Sequence, residues 1–530
     1  MHSYWHYKYE MDTNITDAAH EGTLHGLLGP PFPSSALVTA TVVVYFLWYT
    51  IFNKGGNEKF KAPIIGPRDT IRARWLFFRN AAALLNEGYE KYKGGIFKLS
   101  GHDILVFPGK YIAELRSMPD EELSSIQANI DNFEGLYSTT AILTEGNLHT
   151  RTIQTRLTPR LRHHVPVVQD VLKRHFREEL PTVEGAYSKI KGFHLILRLV
   201  SFIAARHFVG SPLCEDEEWL SVALTYTENA FKTIIVLRIF PDWAKFFVAV
   251  VLPFSYKVNW ALRKAKRIVI PLIEERRRCE REDLNYKKPE DFLQYMMDGA
   301  GEFDGQPDKL AHRLLILTLA AVHTTSMAAT QTLFDLCAHP EYIEPLRQEV
   351  LEVLEREGGY TKQTLTHFKK LDSFMRESQR LNPPSLLGFK RAVRKPLTLS
   401  DGTYLPKGVH IMMPIAPVVL DPDVTPDPYT FDGLRHYNNR DKPGEAHKHQ
   451  FATTSDNNIH FGHGKYSCPG RFLAGNSVKM IISNILLRYD FRFPEGVTTR
   501  PPNVCLHEYV FPNPDAEIEF MERAEKSRWV

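Results

Sequence analysis

The sequence predicts a mainly α-helical protein with small β-sheets, preceded by one N-terminal transmembrane helix. Three observations carry this reading. Apolar residues recur at helical spacing through most of the chain. Strand signals are few and short. Residues 35–52 run 18 positions without a charge, just enough to span a bilayer.

The anchor comes first. Tyr45, Trp48 and Tyr49 cluster toward one end of it, as an interfacial belt does. Glu10, Asp12, Asp17 and Glu21 precede the span against Lys8 alone, and Lys54, Lys59, Lys61, Arg68, Arg72 and Arg74 follow it. The positive-inside rule then places residues 1–34 in the lumen as a tail and the body of the protein in the cytosol. Asn14-Ile15-Thr16 in that tail is a glycosylation sequon. A cleaved secretory leader fits poorly, because the stretch lies far from Met1 and no small-residue cleavage site follows. Residues 53–67 form a basic hinge ending in Ala62-Pro63-Ile64-Ile65-Gly66-Pro67, a stiff break.

Residues 68–530 read as one mixed domain without internal repeats. Helices are expected over 73–91, 149–159, 167–178, 217–237, 259–281, 309–338, 343–356, 371–381 and 469–487. Strands are expected at 96–100 and 104–107 around Gly101-His102, and at 397–399 and 403–405 around Asp401-Gly402. The apolar stretch 231–254 is interrupted by Arg238, Pro241, Asp242 and Lys245, so two amphipathic helices bent at Pro241 fit better than a second span.

The charge balance, Lys+Arg 65 against Asp+Glu 62, excludes nucleic acid as the main partner. The five cysteines are widely spaced, with no Cys-x-x-Cys pair, which argues against zinc and disulfide frameworks and for a reducing compartment.

One stretch carries chemistry: Phe461-Gly462-His463-Gly464-Lys465-Tyr466-Ser467-Cys468-Pro469-Gly470. It sets Cys468 in a glycine-bracketed loop at a helix N-terminus, where free amides and the helix dipole favour thiolate. Gly464 and Gly470 allow tight turns and close approach to a flat ligand, against which Phe461 can pack. An anionic sulfur presented this way suits thiolate ligation of a heme iron. The alternative for Cys468 alone is a small buried hydrophobe.

The pattern Phe-x-x-Gly-x-x-x-Cys-x-Gly, continued through Arg471-Phe472-Leu473-Ala474, resembles the heme-binding loop of the cytochrome P-450 superfamily in its fungal, microsomal secondary-metabolism form. The resemblance covers the chain from about Pro63 onward. It implies the cytochrome P-450 fold, Cys468 as axial iron ligand, and a heme cofactor. Where the family usually has Arg or His facing a heme propionate, this chain has Tyr466. Ala320-Ala321-Val322-His323-Thr324-Thr325 resembles the family's distal-helix motif, with Thr324 on the threonine that organises protons. Here His323 stands in place of the usual acid, either as a proton-delivery group or as a satisfied core histidine.

Glu377 and Arg380, with Arg435 of Pro428-Tyr429-Thr430-Phe431-Asp432-Gly433-Leu434-Arg435, resemble the family's buried scaffold network. Arg391 falls on a propionate-binding arginine. Leu386, Leu387 and Phe389, with Ala320, would line the substrate pocket. A further propionate contact is expected from His149, Arg151 or Arg156. Lys465 and Arg471 are either a docking surface for an electron donor or a solvated face.

These motifs imply a heme monooxygenase at the endoplasmic reticulum membrane, single-pass with a cytosolic catalytic domain, acting as a monomer on an apolar small molecule. Its electrons would come from NADPH indirectly, through NADPH–cytochrome reductase. The substrate expected is a terpenoid of diterpenoid type, the alternative a polyketide–amino-acid hybrid that is hydroxylated or rearranged. More distant alternatives are a reductase-independent heme-thiolate isomerase or dehydratase, and a non-catalytic membrane-tethered heme or ligand-binding protein.

Overall fold

Twelve helices of eight residues or more carry the chain in the computed structural model, which describes residues 60–102, 104–180, 185–525 and 527–530. The expected anchor at 35–52, the tail with Asn14 and most of the basic hinge lie outside the described residues. In order the helices are α1 (Thr70–Lys91), α2 (Ser125–Asn132), α3 (Thr158–Glu179), α4 (Gly192–Phe208), α5 (Glu217–Leu237), α6 (Asp242–Val251), α7 (Pro253–Glu282), α8 (Phe292–Gly299), α9 (Pro307–Ala338), α10 (Ile343–Glu357), α11 (Lys369–Leu381) and α12 (Arg471–Arg488). Four start on side-chain caps. Asp69 accepts from the Ile71 and Arg72 amides at 2.9 Å, and Ser124, Asp216 and Asp291 cap α2, α5 and α8.

The helices differ from the expectations in three ways. The expected break between 149–159 and 167–178 does not occur. A short turn, Leu148–Thr152, passes through a π turn, Ile153–Leu157, directly into α3 with Pro166 inside it. The buried face Leu161, Val165, Val168, Leu172 and Phe176 holds α3 through the proline, since tertiary packing outweighs one missing amide bond. Helices α2, α4 and α8 were not expected; α2 and α8 span only eight residues each, and α4 is buried along most of its length. Helix α12 begins at Arg471, so Pro469 precedes the helix rather than occupying its first turn.

The main sheet has six strands in the order Ile64–Ile65, Phe97–Leu99, Ile104–Val106, His410–Pro414, Leu387–Val393, Leu123–Ser124. The expected hairpins form around Gly101, with φ +74°, and Gly402, with φ +85°. Strands Leu387–Val393 and His410–Pro414 lie inside the sheet and bury most of their residues on both faces, so alternation gave no signal for them.

Helix α9 is the spine. Its first half, with Leu310, Leu314, Leu315 and Leu319, belongs to one apolar core, and its second half, with Val322, Ala329, Leu333 and Phe334, to another. Among the described residues it alone is long and apolar enough to cross a bilayer, and burial within the protein marks it as a core helix. Helices α4, α11 and α12 pack along it.

Phe374 of α11 is fully buried, with ring centroids 5.0 Å from Phe431 and 5.5 Å from Tyr342. Phe374→Ala is expected to cost about 3–5 kcal/mol in urea unfolding. A loss below about 1 kcal/mol would contradict this packing.

Candidate active site

The cysteine loop is held by its own backbone. The Cys468 amide donates to the Phe461 carbonyl at 2.7 Å, closing the loop across seven residues of sequence. Gly462 (φ +67°) and Gly464 (φ +76°) sit in the left-handed region that favours glycine. At Gly464 a Cβ would come within 2.8 Å of Arg116 Cβ and 3.0 Å of the Arg116 carbonyl oxygen, so no side chain fits. Gly470 behaves differently. Its φ is −87° and a Cβ there would meet nothing within 4 Å, so open space beside the loop, not a tight turn, distinguishes the position.

Cys468 alone among the five cysteines is exposed, at the mouth of α12. The sulfur is reached by solvent yet ringed by protein, and that desolvation pushes the thiol above its ordinary pKa, while the Gly470 and Arg471 backbone amides and the Arg471 charge favour the thiolate. Arg471 Nη1 donates to the Cys468 carbonyl at 2.8 Å, so this guanidinium braces the loop. Lys465 stays exposed. The Phe461 ring packs against Phe451, centroids 5.4 Å apart, and braces the loop from the core side.

Arg391 is almost wholly buried. Its Nη1 donates to the Lys390 carbonyl at 2.9 Å, and its Nε and Nη2 have no partner. Burial lowers its pKa to about 10. The guanidinium lies over the Phe389 ring at 4.0 Å and the Tyr466 ring at 5.2 Å, and Tyr466 Oη is likewise buried without a partner. A buried cation beside an unpaired phenol is a receptor for an anionic oxygen. These orphaned donors and the amide-supported sulfur are chemically suited to the carboxylates and the iron of a heme.

The middle of α9 opens where the sequence placed small residues. Ala320 and Thr324, one turn apart, are exposed on an otherwise buried helix. Thr324 Oγ1 donates to the Ala320 carbonyl at 2.7 Å. His323 takes another side. Its ring packs edge-on to Phe231 of α5 at 4.9 Å and bonds the Thr227 backbone, and its Nε2 is buried without a partner. Burial lowers its pKa to about 4, so it is neutral near pH 7 and cannot serve there as an imidazolium acid.

Glu377, Arg380 and Arg435 do come together. Arg380 Nη2 and Nε grip the two Glu377 oxygens at 2.7 and 2.9 Å, and Arg435 Nε donates at 3.2 Å. The Asp432 amide adds a fourth bond at 3.1 Å. Arg380 and Arg435 spend their remaining donors on carbonyls of Pro426, Asp427, Pro428 and Thr430. Burial alone would raise the Glu377 pKa, but Arg380, His436 and Arg435 outweigh it and hold the carboxyl well below the usual range.

Other expected residues sit elsewhere. Leu386, Leu387 and Phe389, expected to line the substrate pocket, are 0–3% exposed. The strand bulges between Gly388 and Arg391, and a Gly388 Cβ would lie 3.0 Å from the Ile459 carbonyl, which fastens the strand to the approach of the cysteine loop. His149 is buried near Arg313 and Asp304, and Arg151 Nη2 donates to Gly299 O at 2.7 Å. The Arg156 guanidinium has no hydrogen-bond partner among the described residues. Arg116 was missed by sequence reading. It contacts Gly464, and its Nη1 lies 3.1 Å from His463 Nε2. No local motif announces it, because the contact spans 347 residues.

Residues 100–520 match the family model described as Cytochrome P450. The chain is 50% identical over 474 residues to "Cytochrome P450 monooxygenase AN1598" of Emericella nidulans, covering 88% of this chain and 89% of that one. It is 36% identical over 487 residues to "Ent-kaurene oxidase P450-4" of Gibberella fujikuroi, covering 90% and 95%. Its fold is similar to that of a solved structure, "Retinoic acid bound cyanobacterial CYP120A1", with TM-score 0.65 at 17% identity, covering 88% of this chain and all of that one.

Glu377→Gln is expected to destabilise the protein by about 3–5 kcal/mol at pH 7, since it strands buried guanidinium groups. A carboxyl with a depressed folded pKa contributes fully above its unfolded pKa and loses that contribution as pH falls. The stability gap between wild type and Glu377→Gln should therefore hold down to about pH 4 and narrow below it. Urea unfolding across that range checks this, and a gap that narrows first on the alkaline side would contradict it. Separately, Arg391→Met should weaken heme retention about tenfold, roughly 1.4 kcal/mol, read by heme loss to apomyoglobin. Unchanged retention would remove Arg391 from the carboxylate site.

Proposed function

The chain belongs to the cytochrome P450 family, and on that premise we propose that it oxidises C–H bonds of an apolar terpenoid, of diterpenoid type. It is a heme-dependent monooxygenase. Electrons reach such enzymes from NADPH through a reductase, and we take the partner here to be NADPH–cytochrome reductase at the endoplasmic reticulum membrane. The single observation that carries the heme reading is the amide-supported, solvent-accessible Cys468 at the start of α12. The diterpenoid reading is supported by the relative named as an ent-kaurene oxidase.

Heme supplies dioxygen activation and the oxidising power when bound. The chain's own residues do the rest. Cys468 would hold the heme iron through its sulfur, whose charge is met by the amides of Gly470 and Arg471. Arg391 and Tyr466 are suited to hold carboxylates through their unpaired donors. Thr324 keeps its hydroxyl proton on the Ala320 carbonyl. Its Oγ1 lone pairs remain free to accept from water, and rotation about χ1 can pass a proton into the notch. His323, neutral and turned to α5, orients the helix beside Thr324 and presents its Nε2 lone pair as an acceptor.

Microsomes holding the protein and a reductase, fed a tetracyclic diterpene hydrocarbon, should give an oxygenated product only with NADPH, detected by mass spectrometry. Product without NADPH would favour an isomerase. Turnover restricted to polyketide–amino-acid hybrids would move the substrate class. Thr324→Ala should lower product per NADPH about tenfold or more while heme content holds, in line with the loss of a positioned proton donor. Unchanged coupling would reject the role of Thr324.

A further inference from the structure

Helix α11 presents two buried carboxylates. Glu377 belongs to the network above. Asp372, five residues earlier, is 3% exposed. Its Oδ1 lies 2.6 Å from Lys479 Nζ of α12, and its Oδ2 lies 2.5 Å from Arg440 Nη2. The same Oδ2 accepts the Phe451 backbone amide at 2.9 Å. Lys479 also donates to the Leu365 carbonyl at 2.8 Å, and Arg440 to the His449 carbonyl at 3.3 Å.

These contacts lead to the sulfur by a short path. The Phe451 amide is fixed by Asp372, and its ring packs edge-on to Phe461. The Phe461 carbonyl receives the Cys468 amide at 2.7 Å. Gly475 of α12 lets the Phe451 ring approach the helix that leaves the cysteine loop, since a Cβ there would lie 3.3 Å from that ring. Asp372 therefore ties together the segment before the loop, through Phe451, and the helix after it, through Lys479. Glu377 reaches neither. Its partners are Arg380 of α11 and residues 432–436.

We propose that Asp372 is a positioning residue for the thiolate loop, setting the placement of Cys468 through Phe451 and Lys479. The inference rests on the heme-thiolate reading of the site. Loss of the carboxylate frees the Phe451 amide and leaves Lys479 and Arg440 without their shared anion. The segment before the loop and the helix after it then lose their shared tie, while the Arg376 bonds to the Lys448 and Gln450 carbonyls and the Glu377 network stay intact.

The test compares Asp372→Asn, Phe451→Leu and the double variant Asp372→Asn/Lys479→Met with wild type. The control is Ile273→Ala, a fully buried residue of α7 in the other apolar core. Full-length proteins in microsomes are read for total heme, thermal midpoint, and the reduced carbon monoxide band at about 450 nm against its shorter-wavelength form. Asp372→Asn should raise the share of the shorter-wavelength form about fivefold at near-constant heme, and Phe451→Leu should do the same with every charge in place. The double variant should keep the shifted band, since it removes one stranded cation without restoring the tie between the Phe451 amide and α12. Recovery of the wild-type band would mean that the stranded charge, not the lost tie, moved it, and would overturn the proposal. Ile273→Ala should lower the thermal midpoint without moving the band.

The proposal is overturned if Asp372→Asn and Phe451→Leu keep the wild-type spectrum, or move it no more than Ile273→Ala does at equal thermal loss. If Asp372→Asn does not accumulate, Phe451→Leu decides alone. If wild type itself lacks the long-wavelength band, the heme-thiolate reading has failed instead.

Discussion

A cysteine sulfur can serve as an axial ligand only if it is fixed in place and its negative charge is met. Here the Cys468 amide is tied to the Phe461 carbonyl, which fixes the residue, and the amides that open α12 face the sulfur, which meets the charge. Burial opposes ionisation at this position, so the balance rests on a few dipoles aimed correctly. Dipoles that belong to backbone need rigid backbone. The left-handed glycines, the Arg471 brace and the Phe451–Phe461 packing all serve that need.

The rest of the scaffold can be understood as support for that loop. Helix α11 displays Asp372, Ser373, Arg376, Glu377 and Arg380 toward the segment at 419–451, and every one of them bonds its backbone. That segment has little regular structure, so its carbonyls and amides have few strand or helix partners. Buried guanidinium and carboxylate groups take that place. Such ionic knots contribute little net stability, because desolvation offsets attraction. What they provide is a single geometry for an irregular chain, and the cysteine loop inherits it.

Residues close in sequence were the legible ones. The cysteine loop, the Glu377–Arg380 pair one turn apart, the small residues of α9 and both tight hairpins all follow from local pattern. Three kinds of feature were hidden. Segments buried on both faces, such as the strand Leu387–Val393, lack the polar contrast that periodicity needs. Long-range partners such as Arg116 and Lys479 have no local signature. Orientation was hidden too: His323 was legible as Thr324's neighbour, but its burial against α5, which keeps it neutral, depends on Phe231 and Thr227 nearly a hundred residues away. Leu386, Leu387 and Phe389, expected to line the substrate pocket, are buried in the structure, and burial of that kind has no local signature in the sequence.

The central claim is that one sulfur, on Cys468, ligates the heme iron. The difference spectrum of the reduced protein with carbon monoxide tests it most directly. A band at about 450 nm is expected for the wild type, with the Cys468→Ser protein folded and lacking it. Absence of the band in wild type, or its persistence in Cys468→Ser, would contradict the account.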